Sequence, residues 1–185
     1  MPYNLWYTWT YEAIPEMADW RNLAADIERK VVTIFAWMPQ TIMSIRQKGG
    51  GFKHQEFTPQ AIGDQLDPLA QAFTGIAREE LRKFDIAKHE EFLLKVCDVL
   101  FQFLGSVAGS KYLHFSAPRL FPMWDRSLRI GARFKDSPTG YICYMKQFKT
   151  ALMDKANEAK ALEKHPMNPV RGWDIVCMEQ RFTQS

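Results

Sequence analysis

Lys88, Glu91, Lys95, Asp98 and Gln102 recur at intervals of three, four, three and four residues, and Phe92, Val96, Leu100 and Phe103 fall between them. That spacing winds a polar stripe and an apolar face onto opposite sides of a helix, and it fits no strand. A helix is expected over about 87–104, capped by Asp85, with its apolar face at the centre of the fold. The same period in Leu23, Ile27, Val31, Ile34 and Trp37 predicts a helix over 17–37 capped by Asp19, with Asp26, Arg29 and Lys30 off the apolar stripe. Thr58-Pro59 and Asp67-Pro68 each read as a cap followed by proline at the first helical position. The second is expected to open a helix over 67–83 that turns Leu69, Phe73, Ile76 and Leu81 inward. Shorter helices are expected over 107–116 and 126–134. Ser137-Pro138 or Thr139 starts a long one to about 162, and a last one covers 170–182.

No stretch alternates apolar and polar residues with period two, and no internal repeat stands out. The expected class is therefore all-α, a single compact helical domain over 1–185. Within it, residues 1–16 form an aromatic N-terminal arm carrying Trp6, Tyr7, Trp9 and Tyr11. That arm either packs on the domain or offers a stacking surface to a base or a partner. Gly49, Gly50 and Gly51 read as a flexible connection, because no strand precedes them and no GK[ST] follows.

A hydrophobic content of 46% is enough for a buried core in 185 residues. Cys97, Cys143 and Cys177 are isolated, so neither a disulfide framework nor a zinc site is expected, and a reducing compartment is. No basic segment leads into an apolar run at the N-terminus, and no apolar run has the length of a membrane span. The expectation is a soluble cytoplasmic protein without membrane attachment, cofactor or metal.

Charge concentrates between Gly105 and Lys135. Lys111, Arg119, Arg126, Arg129, Arg133 and Lys135 stand against Asp125 alone, a local net charge of +5 in a chain whose total is +3. Such a patch is the footprint of an anion, and nucleic acid is the usual bulky one. Leu104 to Lys111 reads as helix end, glycine turn, helix start, a helical hairpin whose second helix begins with backbone N–H groups able to take a phosphate. Pro118 and Pro122 then bracket an extended passage that delivers Trp124 and Asp125 to the start of another helix.

Each of these residues admits two readings. Lys111 is a surface lysine, or an amine made nucleophilic by neighbouring cations and the positive helix end. Asp125 is a helix cap, or the one carboxylate placed for chemistry, and the two are compatible. His114 shares a helix face with Lys111 and is a hydrogen-bonded core histidine or a general base; no second ligand stands at metal spacing. Trp124 is core or cleft wall, or a stacking partner for a base. Arg126, Arg129 and Arg133 share a face that is merely solvated or, with Arg119, contacts phosphates. Trp173-Asp174 reads as core plus cap.

Ala108-Gly109-Ser110-Lys111, an apolar helix and then Pro122-Met123-Trp124-Asp125 resemble the helix-hairpin-helix DNA glycosylases, in particular the 8-oxoguanine glycosylases. Those carry an apolar-Gly-Thr-Lys turn, a helix, and Pro-Val-Asp opening the next helix. The string is also similar to a bacterial and phage group with the pattern SK-x-LHF…P-x-LFP-x-WD. The likeness covers about thirty residues of the 185. It implies a helix-hairpin-helix glycosylase-like fold and a DNA-repair hydrolase. Lys111 and Asp125 would be catalytic, Gly109 and Ser110 would hold a DNA phosphate with Arg119, Arg126, Arg129 and Arg133, and His114 and Trp124 would line the pocket for a flipped base. Two rivals stand beside it: a non-catalytic nucleic-acid-binding module, and a helical interaction or regulatory protein whose basic patch meets an acidic protein partner.

Overall fold

The computed structural model describes residues 10–39, 58–126, 128 and 133–182. Among them there is no strand, and the class is all-α as expected. After a short 3-10 helix at Ile14–Glu16 come α1 (Ile27–Trp37), α2 (Pro59–Ile76), α3 (Glu90–Ser116), α4 (Pro138–Met153), α5 (Lys155–Lys164) and α6 (Pro169–Phe182). Helix α3 is the hub: it packs against α1, α2 and α4, while α6 closes on α4 and α5.

The stripe that predicted α3 is solvated as expected, with Glu91, Lys95, Asp98 and Gln102 exposed and Lys95 paired to Glu91 at 2.8 Å. Val96, Leu100 and Phe103 are buried on the other side. The helix starts at Glu90, however, and Asp85 instead closes a turn by accepting the N–H of Lys88.

Other boundaries differ for identifiable reasons. Residues 17–26 are turns, not helix, because Asp19 and Asn22 side chains accept the N–H groups of Arg21 and Ala24, two residues on, and so compete with helical bonding. Asp26 precedes α1 in a left-handed conformation, with φ 52°. Thr58 caps α2 through the N–H of Ala61, but Asp67-Pro68 does not start a helix. Pro68 lies inside α2, where the loss of one backbone bond is outweighed by burying Ile62 and Leu66 on the same face as Phe73 and Ile76. Ser137 caps α4 through Gly140. The long helix then breaks at Asp154, whose carboxylate takes the N–H groups of Ala156 and Asn157 and starts α5. Asn168 does the same for α6, accepting from Arg171. The expected helix over 126–134 falls largely outside the described residues, as do Trp6, Tyr7, Trp9 and the Gly49–Gly51 run.

The glycine turn in α3 is real. Gly105 has φ 75° and ψ 162°, a conformation open to glycine, and it divides α3 into two arms. A Cβ on Gly109 would stand 2.6 Å from the Phe101 ring and 3.3 Å from the Leu100 carbonyl carbon. In a straight helix, positions nine apart are separated by about 13 Å. The two arms therefore meet at a sharp corner. By length and composition α3 is apolar enough to cross a membrane, but this corner interrupts it and half of its most apolar window is buried against the rest of the protein.

Candidate functional site

The second arm of α3 is buried from Ala108 to Ser116. That corrects one expectation directly: Gly109 and Ser110 do not present free N–H groups to a phosphate. Gly109 is closed off by Phe101, and the Ser110 hydroxyl is used inside the protein, lying 2.9 Å from the Val107 carbonyl and 3.1 Å from the N–H of Trp124.

Lys111 is 1% exposed, so it is not a surface lysine. Burial pulls its amine down to about 8; the carboxylates of Asp125 and Asp174 act against that pull, and the Arg171 guanidinium adds to it. Asp125 is half-buried at the end of the extended passage, where its Oδ1 accepts the N–H of Leu128 at 2.7 Å. The helix-cap role is thus present. Lys111 and Asp125 are in electrostatic reach of each other.

His114 belongs to the core and not to a pocket wall. Its Nδ1–H donates to the Phe121 carbonyl at 2.6 Å, and its Nε2 accepts from the Tyr11 hydroxyl at 2.8 Å. Burial pushes the imidazole down to about 3, so the ring is neutral with both nitrogens occupied and offers no free base. Trp124 is likewise core: it is 1% exposed and packs among Phe101, Tyr141 and Tyr144. Its indole N–H has no hydrogen-bond partner.

The basic residues divide. Arg119 is 49% exposed and paired with Glu80. Arg126 and Arg133 are exposed, Arg133 with φ 58°. Arg129 lies outside the described residues, so the shared face drawn through it is not part of this geometry. Among the described residues, no group of His, Cys, Asp and Glu is placed to hold a metal.

Several buried polar groups escaped the sequence, and two of them, Arg171 and Asp174, act on Lys111. Arg171 and Asp174 form a buried ion pair one turn apart on α6, where a plain cap was expected for Asp174. Burial raises the Asp174 carboxyl above its ordinary range against the opposing pull of Arg171. The Arg171 guanidinium lies 4.4 Å over the ring of Tyr11, which in turn reaches His114. An Arg and an Asp three apart in the apolar run VRGWDIVCM were the available signal. Lys30 is also fully buried, donating to the Asn22 carbonyl with its amine 5.2 Å from the ring of Tyr112 and 5.8 Å from that of Trp20. That corrects the expectation that Lys30 lies off the apolar stripe: three residues after Ile27 and four before Ile34, it shares their buried face.

Compared with protein families, curated proteins and solved structures, the chain matches none.

Proposed function

We propose that this chain is a DNA-binding protein of the glycosylase type, acting on a modified base turned out of the duplex, with Lys111 and Asp125 as its reacting pair. One observation carries the reading: an enclosed lysine amine, pulled down to about 8, whose foremost opposing charge is the carboxylate of Asp125. At neutral pH an amine with that pKa is uncharged in about a tenth of the molecules, a few hundredfold more than an ordinary lysine. A neutral amine can attack C1′ of the nucleoside while the base leaves with the bonding electron pair. A carboxylate beside it meets the positive charge that develops on the sugar. Exposed Arg126 and Arg133, together with Arg119, supply cations for the DNA backbone.

A second reading rests on the enclosure itself. With Lys111 1% exposed and Trp124 sealed among tyrosines, the protein also fits a non-catalytic module that binds nucleic acid through the outer arginines alone.

Borohydride trapping separates the two. Duplexes carrying oxidised, alkylated and deaminated bases should give a covalent protein–DNA adduct, and Lys111→Gln should abolish it without loss of fold. Salt-dependent DNA binding with neither base release nor adduct on any duplex selects the binding module.

A further inference from the structure

We propose that Tyr141 and Tyr144 are positioning residues for Asp125: they grip the main chain of the passage leading to it and set its carboxylate against Lys111. The proposal rests on the Lys111–Asp125 reading above. Residues 121–125 have no regular secondary structure, so their carbonyls lack helix or strand partners. Side chains take their place at consecutive positions. The Phe121 carbonyl accepts from His114 Nδ1–H at 2.6 Å, the Pro122 carbonyl from the Tyr141 hydroxyl at 2.7 Å, and the Met123 carbonyl from the Tyr144 hydroxyl at 3.0 Å. Ser110 Oγ then accepts the Trp124 N–H at 3.1 Å and lies 3.3 Å from the Trp124 carbonyl.

The geometry of this grip is more specific than a pair of buried phenols finding acceptors. Tyr141 and Tyr144 stand one turn apart on α4, so their hydroxyls reach adjacent carbonyls of an extended chain. The Tyr144 ring also stacks on Trp124, 17° from parallel with centroids 6.0 Å apart. On the far side, Ser110 is the residue before Lys111 and Trp124 the residue before Asp125, so one hydroxyl fixes the spacing of the pair. Burial raises both phenols well above their ordinary range, which keeps the hydroxyls protonated as donors.

The test follows Lys111 itself and needs no substrate. In protein labelled with 13C,15N-lysine, the Lys111 Nζ resonance, assigned by its loss in Lys111→Gln, is titrated from neutral to alkaline pH. The charges acting on it are Asp125 from the extended passage and Asp174 and Arg171 from α6, and the latter two are untouched by the variants. Asp125→Asn should lower the midpoint below about 8, because a carboxylate that favours the ammonium form is gone. Tyr141→Phe/Tyr144→Phe should lower it in the same direction by most of that amount, since the carboxylate is no longer held in place. A folded double variant whose midpoint equals that of the parent, while Asp125→Asn shifts, overturns the positioning role and leaves the pair intact. If Asp125→Asn moves nothing, the pair fails and the positioning role with it. Should the double variant not fold, the single Tyr144→Phe and Tyr141→Phe variants decide by the same comparison.

Discussion

The Tyr11 hydroxyl donates to His114 Nε2 at 2.8 Å and joins two parts of the chain 103 residues apart. The bond works only with a neutral imidazole, because the other nitrogen already donates to the Phe121 carbonyl. A second proton on His114 would have no acceptor. The Tyr11 ring is in turn covered by the Arg171 guanidinium, so the start of the described chain, α3 and α6 meet at one polar junction next to Lys111.

The first prediction concerns that imidazole. Its folded value is about 3 against an ordinary 6.5, so between these values the unfolded chain binds a proton that the fold refuses. His114 therefore withdraws stability as pH falls from 6.5 toward 3. The His114 ring carbon shifts should stay at their neutral positions at pH values where a free imidazole is half-titrated. A titration midpoint near 6.5 would show the ring to be wetter than the fold implies.

The second prediction lies on the alkaline side. Lys30 and Lys111 are both pulled from 10.5 to about 8, chiefly by burial. Between those values the unfolded chain carries protons that the fold lacks, so stability rises as pH rises from about 8, by up to about 3 kcal/mol for each lysine. Acidic groups raised by burial oppose this: Cys97 above its ordinary 9.0, then Tyr11, Tyr112, Tyr141 and Tyr144 above 10.0. Urea unfolding should find a stability maximum in the alkaline range, and Lys30→Met should flatten the climb toward it. A climb equally steep in Lys30→Met assigns the effect elsewhere.

The third prediction is a double-mutant cycle on Arg171 and Asp174. Removing one partner leaves a buried charge uncompensated, at about 3–5 kcal/mol. Arg171→Met and Asp174→Leu should each destabilise strongly, and the two together should cost less than the sum. Additive losses would mean that the pair does not act as a unit.

The fourth prediction concerns DNA. Arg126→Glu and Arg133→Glu should weaken binding to all sequences alike and flatten its dependence on salt. Arg119→Ala should change stability by no more than about 1 kcal/mol, because its pair with Glu80 is at the surface. Low-salt shift assays on unrelated duplexes measure the first, and thermal unfolding the second. Unchanged affinity in both Glu variants removes this face from the proposed interface.

The parts of the fold legible in the sequence were those governed by local chemistry. The exposed stripe of α3, the Thr58 and Ser137 caps and the break at Gly105 each depend on residues within a turn of one another. Pro68 misled because tertiary burial of Ile62 and Leu66 overrides a local stop signal. Asp19 misled because Asx turns occupy the N–H groups that a helix would use. For the candidate site, Lys111 and Asp125 were visible as a lysine after a glycine turn and a lone acid in a basic stretch. The buried charges were not, since Lys30, Arg171 and Asp174 stand on apolar faces; of these, Arg171 and Asp174 act on Lys111. Their burial is tolerable only with partners: Arg171 pairs with Asp174 along α6 and lies over Tyr11, and Lys30 donates to the Asn22 carbonyl and faces Tyr112.

The corner at Gly105 has a kinetic side. It brings Leu100 and Gly109 together across nine residues, whereas Tyr11 and His114 must close a loop of 103. The difference in loop-closure entropy is about 2 kcal/mol in favour of the corner. In refolding, the bend of α3 is therefore expected to form while Tyr11 is still free, and amides of the second arm should gain protection from hydrogen exchange in two stages. By the same entropy the junction at Tyr11 is expected to act as a late latch, closing only after the bend of α3 has formed.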